Sequence, residues 1–181
     1  MNICVFGAAR DDPEPGFFTL AEALGGELAR RGHAMIFGGG AHGLMGAAAR
    51  GCARSGGRIV GVAPRFFDEP GVLFEPCAEM IFTDTMAERK TVMLERAEAF
   101  LALPGGLGTF DEIFEALTLR SLGRHGKPVA FLDHDGYWLP AAELIGAAVE
   151  RGFAAPSVRE LYGVFTDPAA CLSWLETEAA R

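Results

Sequence analysis

The chain has 181 residues, with 24 acidic and 16 basic side chains and a formal net charge of −8. Its length fits one domain, residues 1–181, and with 50% hydrophobic and 22% charged residues the composition excludes a disordered chain. Because the negative charge disfavours the phosphate contacts of nucleic-acid binding and no apolar run reaches the ~18 residues that cross a bilayer, we expect a cytoplasmic protein without nucleic-acid or membrane partners.

Short apolar runs alternate with longer segments of helical periodicity. Most of the runs are continuously apolar, which is typical of parallel strands covered on both faces. The predicted strands are residues 2–6, 34–37, 58–62, 78–82, 99–103, 128–132 and 163–165. The predicted helices are residues 17–31, 43–55, 85–97, 109–122, 138–151 and 168–179. The alternation predicts a single α/β domain with a doubly wound, Rossmann-like parallel sheet of about seven strands flanked by helices.

Three other features shape the expectation for this chain. The segment 64–76 is long for a tight connection and predicts a lid or a partner-contact segment, with a disordered loop as the alternative. The four cysteines form no CxxC pair and the four histidines lack metal-ligand spacing, so we expect buried thiols and no metal site. The polar run 133–136 is interpreted as a turn after a strand.

Three predicted strands end in turns rich in small residues, at 7–9, 38–43 and 104–109. The carboxyl ends of parallel strands meet at one edge of a sheet, where the ligands of open α/β folds bind. Glycine lets the backbone approach an anion, and the N-terminus of the following helix attracts phosphate. The turns therefore predict a phosphorylated ligand, although each glycine alone could serve a tight turn.

The residues next to the glycines distinguish between the known classes of phosphate-binding loop. The Walker motif is absent, because no lysine follows either glycine cluster. Gly38-x-Gly40-x-x-Gly43 matches the dinucleotide fingerprint, with Asp68 or Glu69 near the distance of the ribose-binding acid, but it follows the second strand rather than the first. A dinucleotide-binding oxidoreductase therefore stays open as an alternative.

Two ionisable residues accompany the glycine turns. Arg89 lies near the start of the helix 85–97, and Glu112 lies one turn into the helix that follows the third turn, so we expect them to meet at the edge of the sheet. Capping boxes are the alternative interpretation, because Thr85-x-x-Glu88 and Thr109-x-x-Glu112 both have that spacing.

Residues 104–112 resemble the PGGxGTxxE signature of the LONELY GUY (LOG) family of cytokinin-activating phosphoribohydrolases. Further agreement comes from residues 38–40 with 43–46, from Met86 with Arg89-Lys90, from Gly123 with Lys127-Pro128, and from residues 135–137. The resemblance spans nearly the whole chain. Residues 8–10 and 119–121 depart from the family pattern and leave the selectivity for the base open.

The resemblance implies hydrolysis of a purine nucleoside 5′-monophosphate, AMP or its N6-modified form, to the free base and ribose 5-phosphate. It implies Arg89 and Glu112 as the catalytic pair, in a homodimer without metal or cofactor. The implied substrate-binding residues are Gly105, Gly106, Gly108, Thr109, Lys90, Met86, Gly40, Gly43 and Thr118.

The chemistry of the implied pair is plausible from first principles. Cleavage of an N-glycosidic bond builds positive charge on the sugar, and a nearby carboxylate stabilises that charge or activates water. We expect Arg89 to hold the pKa of Glu112 low. A non-catalytic sensor of AMP-like nucleotides is the main alternative, beside the dinucleotide-binding oxidoreductase. A pyridoxal-phosphate lysine decarboxylase is disfavoured, because the chain has only Lys90 and Lys127 for its Schiff base: Lys127 precedes a proline at the start of a strand, and Lys90 would have to give up the role that the motif gives it.

Overall fold

The computed structural model describes residues 1–181, in which seven strands and six helices alternate. The strands are β1 (Asn2–Phe6), β2 (Ala34–Phe37), β3 (Ile59–Pro64), β4 (Glu79–Thr83), β5 (Ala99–Ala102), β6 (Val129–Leu132) and β7 (Tyr162–Phe165). The helices are α1 (Pro15–Arg30), α2 (Gly43–Arg54), α3 (Met86–Arg96), α4 (Leu107–Ser121), α5 (Leu139–Glu150) and α6 (Pro168–Ala179). Every predicted element is present, and its ends differ from the prediction by at most two residues.

All seven strands form one parallel sheet in the order β4-β3-β2-β1-β5-β6-β7. The chain starts at the centre with β1, proceeds outward to β4, and then returns to place β5 beside β1. The predicted doubly wound sheet is therefore confirmed. Its direction reverses between β1 and β5, and this switch point is where open α/β sheets bind their ligands.

A hydrophobic core lies on each face of the sheet. One core contains Leu24 of α1 and Leu172 of α6, and the other contains Ile113 of α4 and Ile145 of α5. The central strands are buried along nearly their whole length because helices cover both faces, which explains their continuously apolar sequences. None of the helices combines the length and apolar character that a membrane crossing requires.

The segment 64–76 has a defined path over the turn that follows β2. The Ala41 N–H donates to the Val72 carbonyl at 2.9 Å, and the Phe74 N–H donates to the Gly39 carbonyl at 2.8 Å. A β-bridge pairs Gly40 with Leu73 between these bonds. The segment therefore lies across the carboxyl edge of the sheet on a defined path and is not a disordered loop, while its role as a lid or a partner-contact segment stays a prediction.

The four cysteines are free thiols, and no metal site accompanies them. Cys4, Cys52 and Cys171 are buried, Cys77 is half-buried, and all four thiols are free. Burial raises the pKa of Cys52 and of Cys77 to about 11, so these thiols stay protonated near neutral pH. No group of three or more His, Cys, Asp or Glu side chains is arranged to hold a metal ion.

Candidate active site

A cleft of about 400 Å³ opens at the switch point of the sheet. The three glycine-rich turns contribute to its lining, together with the segment 64–76 and the first turns of α3 and α4. The predicted site residues that line it are Arg89, Glu112, Gly40, Met86, Gly106, Gly108 and Thr109. The expectation that the turns share one edge of the sheet is therefore correct.

Arg89 and Glu112 form a buried ion pair at the floor of this cleft. Nη1 of Arg89 donates to Oε1 of Glu112 at 2.5 Å, and only 6% and 9% of the two side chains are exposed. Nε of Arg89 also donates to the Val62 carbonyl at the end of β3, at 3.0 Å. Two anchors at opposite sides of the guanidinium fix its plane, so Arg89 holds one oxygen of Glu112 in a defined position.

Burial raises the pKa of Glu112 above the usual glutamate value, although Arg89 opposes this shift through its charge and its hydrogen bond. The expected low pKa of Glu112 was therefore wrong in sign. The reason is that desolvation of a carboxylate outweighs the effect of one neighbouring cation at this depth. A higher pKa makes Glu112 a stronger base once it is ionised.

Gly38 makes the space that Arg89 occupies. A Cβ atom at Gly38 would lie 2.1 Å from Nη2 of Arg89. A side chain at Gly38 would therefore require the guanidinium to move from the position in which it binds the Val62 carbonyl and Glu112. Gly38 lines the cleft but was missing from the predicted site residues; its place in the Gly38-Gly39-Gly40 run was the signal that could have identified it.

The start of α4 presents unpaired amide groups. Its N-cap is Gly106, which has no side chain to cap the helix, and the N–H groups of Leu107, Gly108 and Thr109 donate to no acceptor within the chain. Free N–H groups and the positive end of the helix dipole together attract an anion. These free N–H groups, which we call the phosphate cradle, are the donors that the predicted phosphorylated ligand needs.

The two proposed capping boxes have different outcomes. Thr85 caps α3, because its hydroxyl accepts from the Glu88 N–H at 3.1 Å while the Glu88 carboxylate accepts from the Asp84 N–H at 2.9 Å. Thr109 is instead the third residue of α4, so it cannot cap that helix. Glu112 is therefore free of a capping role.

Two predicted glycines support the cleft from behind. Gly105 does not line it; a Cβ atom there would lie 2.1 Å from Oγ1 of Thr109. Gly43 begins α2 with a φ of 61°, and a Cβ atom there would lie 2.2 Å from the Ala8 carbonyl oxygen. Gly105 thus leaves room for the Thr109 side chain and Gly43 leaves room for the Ala8 backbone.

Lys90 and Thr118 lie away from the cleft of their own chain. Nζ of Lys90 lies 2.9 Å from the carboxylates of both Asp111 and Glu115, and these bonds raise the Lys90 pKa. Thr118 is exposed on α4, about 13 Å along the helix from Thr109. Their contact with substrate stays a prediction.

Several residues that line the cleft were not among the named catalytic and substrate-binding residues, although four of them lie in the predicted turns at 7–9 and 38–43. They are Gly7, Ala8, Ala9, His42, Met45, Phe67, Val72 and Leu73. Phe67, Val72 and Leu73 reach the cleft only because the segment 64–76 folds back over the turn after β2. Such a contact between distant segments leaves no local pattern in the sequence.

The family model described as possible lysine decarboxylase matches residues 45–175. The probable cytokinin riboside 5′-monophosphate phosphoribohydrolase LOGL2 of Oryza sativa subsp. japonica is 34% identical over 175 residues, which are 97% of this chain and 72% of that protein. Cytokinin riboside 5′-monophosphate phosphoribohydrolase LOG7 of Arabidopsis thaliana is 36% identical over 160 residues, 88% of this chain and 74% of that protein.

Among solved structures, the molybdenum cofactor carrier protein of Chlamydomonas reinhardtii has a TM-score of 0.75 at 24% identity and covers 99% of this chain and 98% of that one. This likeness agrees with the fold. The identities to the curated relatives extend over most of both proteins, and the family model matches more than half of the chain. The chain therefore belongs to the LONELY GUY (LOG) family.

Proposed function

We propose that the protein hydrolyses the N-glycosidic bond of AMP or of N6-modified AMP and releases the free base and ribose 5-phosphate. One observation carries this proposal: a single cleft contains both unpaired helix N-terminal amides and a buried Arg89–Glu112 pair. Binding of an anion needs only the amides. The pair adds the Glu112 carboxylate, which can stabilise positive charge, and the curated relatives are named for this hydrolysis.

The 5′-phosphate is assigned to the start of α4. The N–H groups of Leu107, Gly108 and Thr109 and the Thr109 hydroxyl make no hydrogen bond within the chain. Such donors bind an anion without rearrangement of the backbone. Because Glu112 lies one helical turn further along α4, a phosphate at this position brings the attached sugar toward its carboxylate.

Glu112 acts on the anomeric carbon of the sugar. Arg89 occupies Oε1, while Oε2 has no hydrogen bond within the chain. As the bond from C1′ to the base breaks, its electron pair leaves with the base, and the carboxylate stabilises the positive charge left on the sugar. Water adds to C1′ and gives up a proton to Glu112. That proton then passes to the departing base, so the base is released neutral and the Glu112 carboxylate is regenerated. Arg89 orients the carboxylate throughout.

The base is assigned to the wall formed by Phe67, Val72, Leu73 and Met86. These side chains contact a planar ring and an apolar substituent but cannot hydrogen-bond to the edge of a base. His42 is the one polar side chain of the cleft besides Arg89, Thr109 and Glu112. The cleft therefore suits AMP and N6-modified AMP by apolar contact rather than by readout of base edges.

A decarboxylase reaction does not fit the residues present. It would require a lysine in the cleft to hold pyridoxal phosphate as a Schiff base. Lys90 is bound by two carboxylates, and Nζ of Lys127 donates to the Leu94 carbonyl at 2.6 Å; neither lines the cleft. The lysine decarboxylase description of the family model therefore has no lysine in this chain to support it.

The proposal includes a cytoplasmic homodimer. An apolar groove of about 340 Å³ lies between α4 and α5, and the large side chains around it include Phe110, Phe114 and Leu144, of which Leu144 is 68% exposed. A second copy of the chain would cover this groove. Thr118 is exposed on α4 and lies away from the cleft of its own chain. If Thr118 contacts a substrate, that substrate is therefore bound in the cleft of the second copy. The free thiols suit a reducing compartment.

The proposed hydrolysis is tested with the Glu112→Gln variant. The release of adenine from AMP is measured by chromatography. We expect kcat to fall by about two orders of magnitude or more, because the amide cannot stabilise positive charge. The Kd for AMP should change by no more than a few fold. Glu95→Gln, the same change at an exposed position of α3, is the matched control. Unchanged turnover in Glu112→Gln would remove Glu112 from the mechanism.

A further inference from the structure

The polar run after β6 builds a rigid turn beside the phosphate cradle. The buried Asp133 carboxylate accepts from the Gly136 N–H at 2.9 Å and from the Trp138 N–H at 2.6 Å. Asp135 and Gly136 have φ angles of 55° and 74°, which place both in the left-handed region. The predicted polar turn is present, and its side-chain anchors determine the direction in which the next residue, Tyr137, points.

Packing then holds the Tyr137 ring against the loop after β5. The rings of Phe17 and Trp138 contact it edge-on, with centroids 6.4 and 5.2 Å away. The turn also packs closely on the start of α1, because a Cβ atom at Gly16 would lie 2.5 Å from Nε2 of His134. From this position the Tyr137 hydroxyl donates a hydrogen bond to the Gly105 carbonyl oxygen.

That hydrogen bond acts on the peptide unit that joins Gly105 to Gly106. In a trans peptide the carbonyl and the N–H point in opposite directions. Tyr137 and Gly105 border a second cavity that does not include Arg89 or Glu112, whereas Gly106 borders both this cavity and the catalytic cleft. A carbonyl held toward Tyr137 therefore directs the Gly106 N–H away from Tyr137, and Gly106 lies at the cleft, where a bound anion could accept from this N–H.

The peptide between two glycines has an unusually low barrier to rotation into the opposite orientation, because neither residue carries a Cβ. In the opposite orientation, a carbonyl oxygen would face the bound anion and repel it. The preceding carbonyl is also held, since the Ala8 N–H donates to the Pro104 oxygen at 3.0 Å. The Gly106 N–H itself has no acceptor within the chain, which leaves it available to a ligand.

We propose that Tyr137 is a positioning residue that orients the Gly105–Gly106 peptide so that its N–H binds the 5′-phosphate of the substrate. The hydroxyl contacts only the loop and acts on substrate through it. This inference rests on the proposed function for the identity of the anion. It assigns a role to the Asp133–Tyr137 run, which the hydrolytic mechanism leaves unused.

The test compares Tyr137→Phe with Tyr162→Phe, which removes the same hydroxyl at the other tyrosine of the chain, on β7. Binding of ribose 5-phosphate and of adenine is measured by calorimetry, and kcat and KM are measured with AMP. In Tyr137→Phe we expect ribose 5-phosphate to bind about tenfold more weakly, because a hydrogen bond to a charged group is lost or misdirected. The KM for AMP should rise in parallel, while kcat, adenine binding and the thermal midpoint stay as in Tyr162→Phe.

Two outcomes would overturn the positioning role. One is wild-type affinity of Tyr137→Phe for ribose 5-phosphate. The other is an equal loss of affinity for ribose 5-phosphate and adenine together with a lower thermal midpoint, which is the signature of a purely structural tyrosine. If the wild-type protein binds ribose 5-phosphate but leaves AMP intact, the hydrolase fails and the positioning role is still decided by these affinities. No binding of ribose 5-phosphate to the wild-type protein would overturn both.

Discussion

At the scale of single residues, the position of a side chain was easier to predict from the sequence than its pKa. The pairing of Arg89 with Glu112 was predictable, because each follows a strand that ends at the same edge of the sheet. The pKa shift of Glu112 was not, because its sign depends on how much of the carboxyl group the fold removes from water. Burial of one residue depends on the packing of distant segments, which no local motif records.

The raised pKa of Glu112 has a consequence for the pH profile. Hydrolysis needs the ionised carboxylate, so kcat/KM should fall as the pH drops through the Glu112 pKa, with a midpoint above the usual glutamate value of 4.5. Arg89→Gln removes the cation that lowers this pKa, so the remaining activity should show a midpoint at still higher pH. The measurement is the rate between about pH 4 and 8.

Arg96→Gln is the matched control, because this arginine lies on the same helix and 46% of its side chain is exposed. Its profile should coincide with that of the wild-type protein. A midpoint that moves to lower pH in Arg89→Gln would contradict the assignment of the titrating group to Glu112.

At the scale of elements, the ends of the strands and helices could be predicted to within two residues. A difference of two residues at the start of α4 nevertheless changed the interpretation of Thr109. The spacing of Thr109 and Glu112 fits a capping box only if α4 begins after Thr109. The helix instead begins at Leu107, after the N-cap Gly106, which places Thr109 among the free N–H groups at its N-terminus. The course of segment 64–76 depends on pairing of Gly40 with Leu73, a long-range contact that periodicity does not report.

The turn after β2 offers a test of how one element makes room for another. Gly38→Ala should displace the Arg89 guanidinium, since the new Cβ would lie 2.1 Å from Nη2. We expect kcat to fall by about tenfold or more as Glu112 loses its alignment. Gly146→Ala, on α5 and away from the cleft, is the control, because its Cβ would meet only Nη2 of Arg159, at 3.9 Å. Equal kcat values for the two variants would show that Arg89 does not need the space at Gly38.

At the scale of the whole molecule, the parallel sheet and its switch point could be predicted from the series of continuously apolar strands. The positions of Lys90 and Thr118 could not be predicted in this way. Both belong to the predicted substrate set, but one is held by Asp111 and Glu115 and the other is exposed on α4. A sequence motif identifies which residue types recur at which spacing. It does not show whether such a residue contacts a ligand in its own chain or in a second copy of the protein.

The proposed homodimer makes a direct prediction about mass. Light scattering should give twice the 19.2 kDa of one chain for the wild-type protein. Leu144→Glu places a charge in the apolar groove between α4 and α5, where it would be buried without a partner, so the dimer Kd should rise by about a hundredfold or more. Thr19→Glu adds the same charge on the exposed surface of α1 and should leave the mass doubled. A wild-type mass of one chain, or an unchanged dimer in Leu144→Glu, would show that this groove is not the interface.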